Sequence, residues 1–244
     1  SELYALMLFA LSGGLVLFGF QNLVTLFIGI EILSIPLYVM AGSNKTDLRS
    51  TEASMKYFLM GAFATGFLMF GVALVYGSVG SFDMYVIHDF AISNPKNLML
   101  IMGSILMLSA LAFKVSLAPF HMWSPDVYQG SPSLITGFMA SVVKISGFFA
   151  LFKLMTLGFG GIAGEWINIL GVFVIITLLL ANVMALVQTN AKRMLAYSSV
   201  SHAGYISLIF FGLNNFSTSI LGFYLFAYSL ATVGVFISLI WVEK

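Results

Sequence analysis

The sequence predicts an all-α, polytopic membrane protein of about eight spans, one of them broken at Pro119. Three observations carry that expectation. Sixty per cent of the 244 residues are hydrophobic, only 8% are charged, and mean hydropathy is +1.05, whereas a soluble domain carries roughly 25% charged residues. Eight apolar stretches each reach the length that crosses a bilayer, about 20 residues. No alternating pattern of about ten residues recurs, which argues against a transmembrane barrel.

Taken in order, the stretches run near Leu3–Phe18, Asn22–Ala41, Ala53–Gly77, Asn97–Ala118, Ser133–Leu157, Glu165–Gln188, Arg193–Gly212 and Phe216–Val242. Most connections are short, which favours antiparallel neighbours. The longest, Ser78–Lys96, holds Asp83, His88, Asp89 and Pro95 and reads as an ordered surface loop. With the broken helix crossing once, Lys45, Arg49, Lys56, Lys192, Arg193 and Lys244 fall on one side, and Lys96 and Lys153 on the other. That bias puts both chain ends on the cytoplasmic side. Ser1 stands where an initiator Met would, and the last span ends almost at Lys244, so a segment of a longer protein is expected.

Several function classes find no support. Net charge is +1 with no basic cluster, so nucleic acid is not expected as a partner. There is no cysteine, which excludes thiolate-held iron–sulfur clusters, cysteine zinc sites and disulfides. Gly158-Phe-Gly160-Gly-Ile-Ala163 fits a dinucleotide fingerprint, but no strand precedes it. No GxxxxGK[ST], HExxH or GxSxG occurs. The 14 Met and 24 Phe read as lipid-facing or core filler.

The broken helix, Leu98 to Pro132, organises the chain. Pro119 lacks an N–H and clashes with the carbonyl of Val115. Ser124 reads as the cap of a second half-helix, Pro125 as its first residue, and Asp126 as a charge at its positive end. Gly130 closes that half-helix and Ser131-Pro132 opens the next span, with an extended, polar-lined stretch between the halves. A backbone break at depth is tolerated only against protein or a wet cavity.

Four ionisable groups fall inside spans: Glu31, Lys114, Lys144 and His202. Each such group costs about 2.5–3.5 kcal/mol on insertion scales. Pro36 follows Glu31 by five residues, as Pro119 follows Lys114, so each charge has a freed carbonyl beside it, on Ile32 or Val115. Such a bend offers water a place, or else simply kinks the span for packing. For the lysines the competing accounts are snorkelling and a static pair with Glu31. Burial and a nearby carboxylate pull a lysine's affinity for its proton in opposite directions, which suits a group that loads and releases one. Glu52 and Lys56 read as a headgroup-level i,i+4 pair, and Lys153 as a snorkelling lysine. His121 and Asp126 flank the break as relay or as capping groups. His202, beside Ser198, Ser199 and Ser201, continues a hydrated path or is a satisfied core histidine.

LFIGIEILSIPLYVMAG around Glu31, EASMKYFLM at Glu52–Met60, FKVSLAPFHMWSPDVYQGSP from Phe113, SVVKISGFFALF around Lys144 and LVQTNAKRMLAYSSVSHAGY from Leu186 together resemble the antiporter-like membrane subunits of respiratory complex I. The PDVYQGSP form resembles the N branch of that family, subunit N of bacterial NADH–quinone oxidoreductase, rather than the L and M branches or Mrp antiporters. The resemblance implies a proton-translocating unit built on inverted five-helix repeats: residues 1–157 with the broken helix 97–132, then an incomplete second repeat, 165–244. It implies proton-transfer roles for Glu31, Lys114 and Lys144, raises Lys56 above a surface pair, and assigns a role to His202. It also implies partners in the neighbouring subunits M and K, in the inner membrane of a bacterial cell. No cofactor is expected in this chain; NADH, FMN, iron–sulfur clusters and quinone would lie in other subunits.

Overall fold

The computed structural model describes residues 2–243. Ser1 lies outside the described residues, as does Lys244, one of the charges counted for orientation. Among the described residues all regular structure is helical, apart from an isolated antiparallel bridge between Asn22 and Asp83. Eight helical segments are long and apolar enough to span a membrane, within a few residues of the expected bounds.

The first three spans are α1 (Glu2–Gly19), α2 (Leu23–Ala41) and α3 (Leu48–Val79). Side-chain oxygens start α2 and α3: Asn22 accepts from Thr25 N at 2.8 Å and Asp47 from Arg49 N at 2.9 Å. Gly80, at φ 75°, ends α3 in the left-handed conformation that glycine adopts without strain. Glycine also sets the α1–α2 distance, because a Cβ on Gly13 would lie 2.3 Å from Leu33 N.

The stretch 78–96 is not the loop expected. It contains α4 (Met84–Ser93), opened by Asp83, whose Oδ1 accepts from Tyr85 N at 2.9 Å. Met84, Ile87 and Ala91 face inward at helical spacing, a stripe too short to stand out between two polar turns.

The broken span is α5 (Leu98–Val115) followed by α6 (Trp123–Gly130), and here the expected grammar needs several corrections. The first half ends before the proline: Ser116 takes φ 63°, and Leu117 N turns back to Ala112 O at 2.8 Å. Pro119 follows within a turn, joined to Ala118 by a cis peptide bond. The connection is not an extended polar strip but a turn carrying Leu117, Ala118, Phe120 and Met122. Protein groups satisfy part of the backbone at the break. Ala118 N donates to Thr177 Oγ1 at 2.8 Å, and Trp123 Nε1 donates across the break to Phe113 O at 2.9 Å.

The second half begins at Trp123, so Ser124 lies inside the helix rather than capping it, and its buried hydroxyl has no partner. The Ser131 hydroxyl is likewise buried and unpaired, not a cap for the next span. Gly130 is the last helical residue; its lack of a side chain serves close packing, since a Cβ would lie 2.5 Å from Arg49 O.

The next span runs through α7 (Ser133–Phe138), a π-helical turn at Met139–Val143, α8 (Lys144–Lys153) and a second π turn at Leu154–Gly158. A 3-10 turn leads into α9 (Ala163–Leu186), then come α10 (Ala191–Ser207) and α11 (Ser217–Val242). Contacts sort the ends into two sides. Lys56 and Arg193 both bond Asp126, so the starts of α3 and α10 lie beside α6. Lys153, at the end of α8, donates to Phe18 O at 3.3 Å at the end of α1 and sits 4.9 Å over the Phe20 ring.

Candidate functional site

Lys114 closes the first half of the broken span and is only 5% exposed. Its Nζ donates to Ser34 Oγ of α2 at 2.6 Å, and the Ser34 hydroxyl donates in turn to Ile30 O. Around this contact lies a cavity of about 20 Å³, bounded by Ile30, Ser34, Tyr38, Thr65, Phe113 and Lys114, room for about one water. Glu31 is half-buried and does not touch Lys114; it accepts from Thr65 Oγ1 at 2.8 Å. Thr65 also lines the cavity, so the two groups approach through hydroxyls of α2 and α3.

The paired proline bends are not equivalent. α2 runs unbroken through Pro36, and its Ile32–Leu33 peptide packs against Gly13 of α1. The peptide next to Glu31 is therefore covered by a neighbouring helix.

Lys144 is 2% exposed and opens α8 directly after a π turn, a distortion often found at functional sites. Its Nζ donates to the backbone carbonyl of Ser199 on α10. The two lysines sit on helices in close contact, because a Cβ on Gly147 would lie 2.9 Å from Val115 Cγ1 and 3.8 Å from Lys114 Cγ. Neither takes part in the ion pairs found among the described residues, all of which converge on Lys56 or Asp126. His202 lies one turn along α10 from Ser199, with its Nδ1 2.9 Å from Tyr224 Oη.

Asp126 is the centre of the charge cluster. Its carboxylate accepts from Lys56 Nζ at 2.9 Å and Arg193 Nη1 at 2.6 Å, while Lys56 also bonds Glu52 at 2.7 Å. Lys56 is thus part of a four-charge network rather than an isolated surface pair. Lys192 adds a bond to Ser131 O at 3.0 Å, placing positive charge just past the α6 C-terminus. Asp126 lines two cavities: one of about 160 Å³ beside Glu52 and Lys56, and one of about 460 Å³ shared with His121, Arg193 and Tyr197. His121 is 7% exposed, and its Nδ1 has no hydrogen-bond partner.

The ionisable side chains thus fall into three local groups: Glu31–Thr65 with Ser34–Lys114, Lys144–Ser199 with His202, and Lys56–Asp126–Arg193 near His121. The partners Ser34, Thr65 and Thr177 were not singled out in the sequence; Ser199 stood there only as a neighbour of His202, and Arg193 only as a charge that orients the spans. Hydroxyls are frequent in its spans, and nothing in one dimension marks those that meet a lysine. Among the described residues no group of three or more His, Cys, Asp or Glu could hold a metal ion.

The architecture defines a class: a polytopic helical membrane protein with one broken span and buried, unpaired lysines. Residues 21–243 match the family model described as NADH:quinone oxidoreductase/Mrp antiporter, TM, and the chain belongs to that family. It is similar to NADH-quinone oxidoreductase subunit N of Trichlorobacter lovleyi, 41% identical over 245 residues, covering 100% of this chain and 50% of the relative. A structure of respiratory complex I from Thermus thermophilus with bound aureothin matches with TM-score 0.84 and 38% identity, over 98% of this chain and 51% of that one. The Mrp complex from Dietzia sp. DQ12-45-1b shares the fold, with TM-score 0.85 and 22% identity over 97% and 44% of the two chains. The chain spans about half the length of the curated relatives it matches.

Proposed function

We propose that this chain is part of a proton-translocating, antiporter-like subunit of an NADH–quinone oxidoreductase, with Glu31, Lys114, Lys144 and His202 passing protons between them. The observation that carries the reading is the bonding of the two buried lysines. Lys114 is held by a hydroxyl and Lys144 by a backbone carbonyl. A carboxylate partner would fix a lysine in its charged form, whereas a neutral oxygen favours the ammonium over the amine far less and leaves the proton easier to release. Lys114 takes up a proton as its amine becomes an ammonium and passes it toward Lys144. Lys56, Asp126 and His121 line the approach from the charged end. The drive comes from quinone reduction in other subunits, where NADH, FMN and iron–sulfur clusters bind, and this chain carries no redox centre. Its partners are the adjoining M and K subunits in the bacterial inner membrane. Residues 1–157 form the first inverted repeat and 165–244 part of the second.

The test is Lys114→Met and Glu31→Gln in the complete complex reconstituted in vesicles, reading protons moved per electron pair. Each variant is expected to assemble and to lower that ratio. An unchanged ratio in both overturns the assignment. The shared fold of the Mrp complex supports a second reading, a cation/proton antiporter subunit. Co-purification of flavin and iron–sulfur subunits with the native protein excludes it.

A further inference from the structure

α11 carries Tyr224, Tyr228 and Thr232 at intervals of four residues, which stacks their hydroxyls on one face of the helix. That face meets α10 and the π turn ahead of Lys144. The Tyr228 hydroxyl lies 2.8 Å from Ser199 Oγ, and the carbonyl of the same Ser199 receives the Lys144 ammonium. The Tyr224 hydroxyl lies 2.9 Å from His202 Nδ1, and the rings of His202 and Tyr228 have centroids 4.9 Å apart. Between them opens a cavity of about 140 Å³, bounded by Ser199, His202, Tyr228 and Thr232 and by the apolar Leu195, Val235 and Phe236, with room for several waters along its polar side.

We propose that Tyr228 and Tyr224 are positioning residues: through Ser199 and through His202 they hold the two titratable groups of α8 and α10 in a fixed relation beside this cavity. The inference rests on the proton-transfer reading of Lys144. A lysine has a flexible four-carbon stem and is placed only by what its ammonium binds. Here the anchor is a carbonyl whose residue is gripped by a phenol on a third helix. A tyrosine has two rotatable side-chain bonds before its ring, so it fixes a hydroxyl with little loss of freedom. His202 has two nitrogens, and the bond at Nδ1 sets which one remains for a proton.

The surroundings leave these hydroxyls as the main polar control. Lys144 reaches the Ser199 carbonyl from the start of α8, and Tyr205 on α10 has its ring 6.3 Å from that of His202. α6 packs on α10 and carries the buried Tyr128. Among the described residues no carboxylate lines the cavity.

The experiment compares Tyr224→Phe, Tyr228→Phe and Lys144→Met in the intact complex in vesicles, recording proton movement per electron pair across a range of pH. Removing one hydrogen bond of about 1 kcal/mol corresponds to roughly fivefold in an equilibrium. The pH midpoint of pumping is therefore expected to move by about half a unit or more in each Phe variant, with assembly and electron transfer retained. A merely structural tyrosine would lower the amount of complex and leave the midpoint where it is. Tyr228 is buried, and should its Phe variant fail to assemble, the half-buried Tyr224 decides. Unmoved midpoints in the Phe variants, with pumping lost in Lys144→Met, overturn this inference alone. Normal pumping in Lys144→Met overturns the functional reading, and this inference with it.

Discussion

Replacing Asp126 by Asn removes a charge that Lys56 and Arg193 grip from either side, and its cost can be worked from the geometry. The side chains of Asp126, Lys56 and Arg193 are 34%, 42% and 31% exposed, so the cluster is neither at the surface nor buried. Exposed pairs contribute about 0.2–1 kcal/mol, while removing one partner of a buried pair costs roughly 3–5 kcal/mol. Two charged bonds at 2.6 and 2.9 Å in this intermediate setting place Asp126→Asn near 2 kcal/mol. The shorter bond is to Arg193, so a double-mutant cycle between Asp126→Asn and Arg193→Gln should give a coupling of about 1 kcal/mol. The measurement is reversible unfolding of the complete subunit in detergent, at low and high salt. Partial exposure predicts that the coupling shrinks as salt rises. Additivity within about 0.3 kcal/mol would show that the cluster does not hold α6 in place.

Trp123→Phe should destabilise by about 1–2 kcal/mol, because it strips the Phe113 carbonyl of its partner across the break; the same unfolding assay checks it. Lys153→Met should lose under about 1 kcal/mol, the scale of its contact with the Phe20 ring, and should leave proton pumping per electron pair unchanged.

The spans were legible because lipid-crossing helices must be long and apolar, and a proline or ionisable group inside them stands out. Their bounds also carry local chemistry: Asn22, Asp47, Asn97 and Asn190 each accept a bond from the first turn of the helix they precede. What escaped was whatever depends on a second helix. The extra residue of the π turn before Lys144 alters no composition. The two proline bends look alike in sequence, yet α1 packs against one, while the helix at the other has already ended at Ser116. Ser124 and Ser131 look like caps, but their hydroxyls are buried without partners. Glu31, Lys114 and Lys144 were recognisable as costly residues. Their actual bonds, to Thr65, Ser34 and Ser199, follow from the packing of α2, α3, α5 and α10.

The most direct measurement is an experimental density map of the complete complex, at a resolution that shows ordered water. A water is expected in the small cavity beside Thr65, Ser34 and Lys114, with further waters in the chamber between Ser199, His202 and Tyr228. Dry side-chain packing in both places, leaving each lysine isolated from any aqueous neighbour, would contradict it.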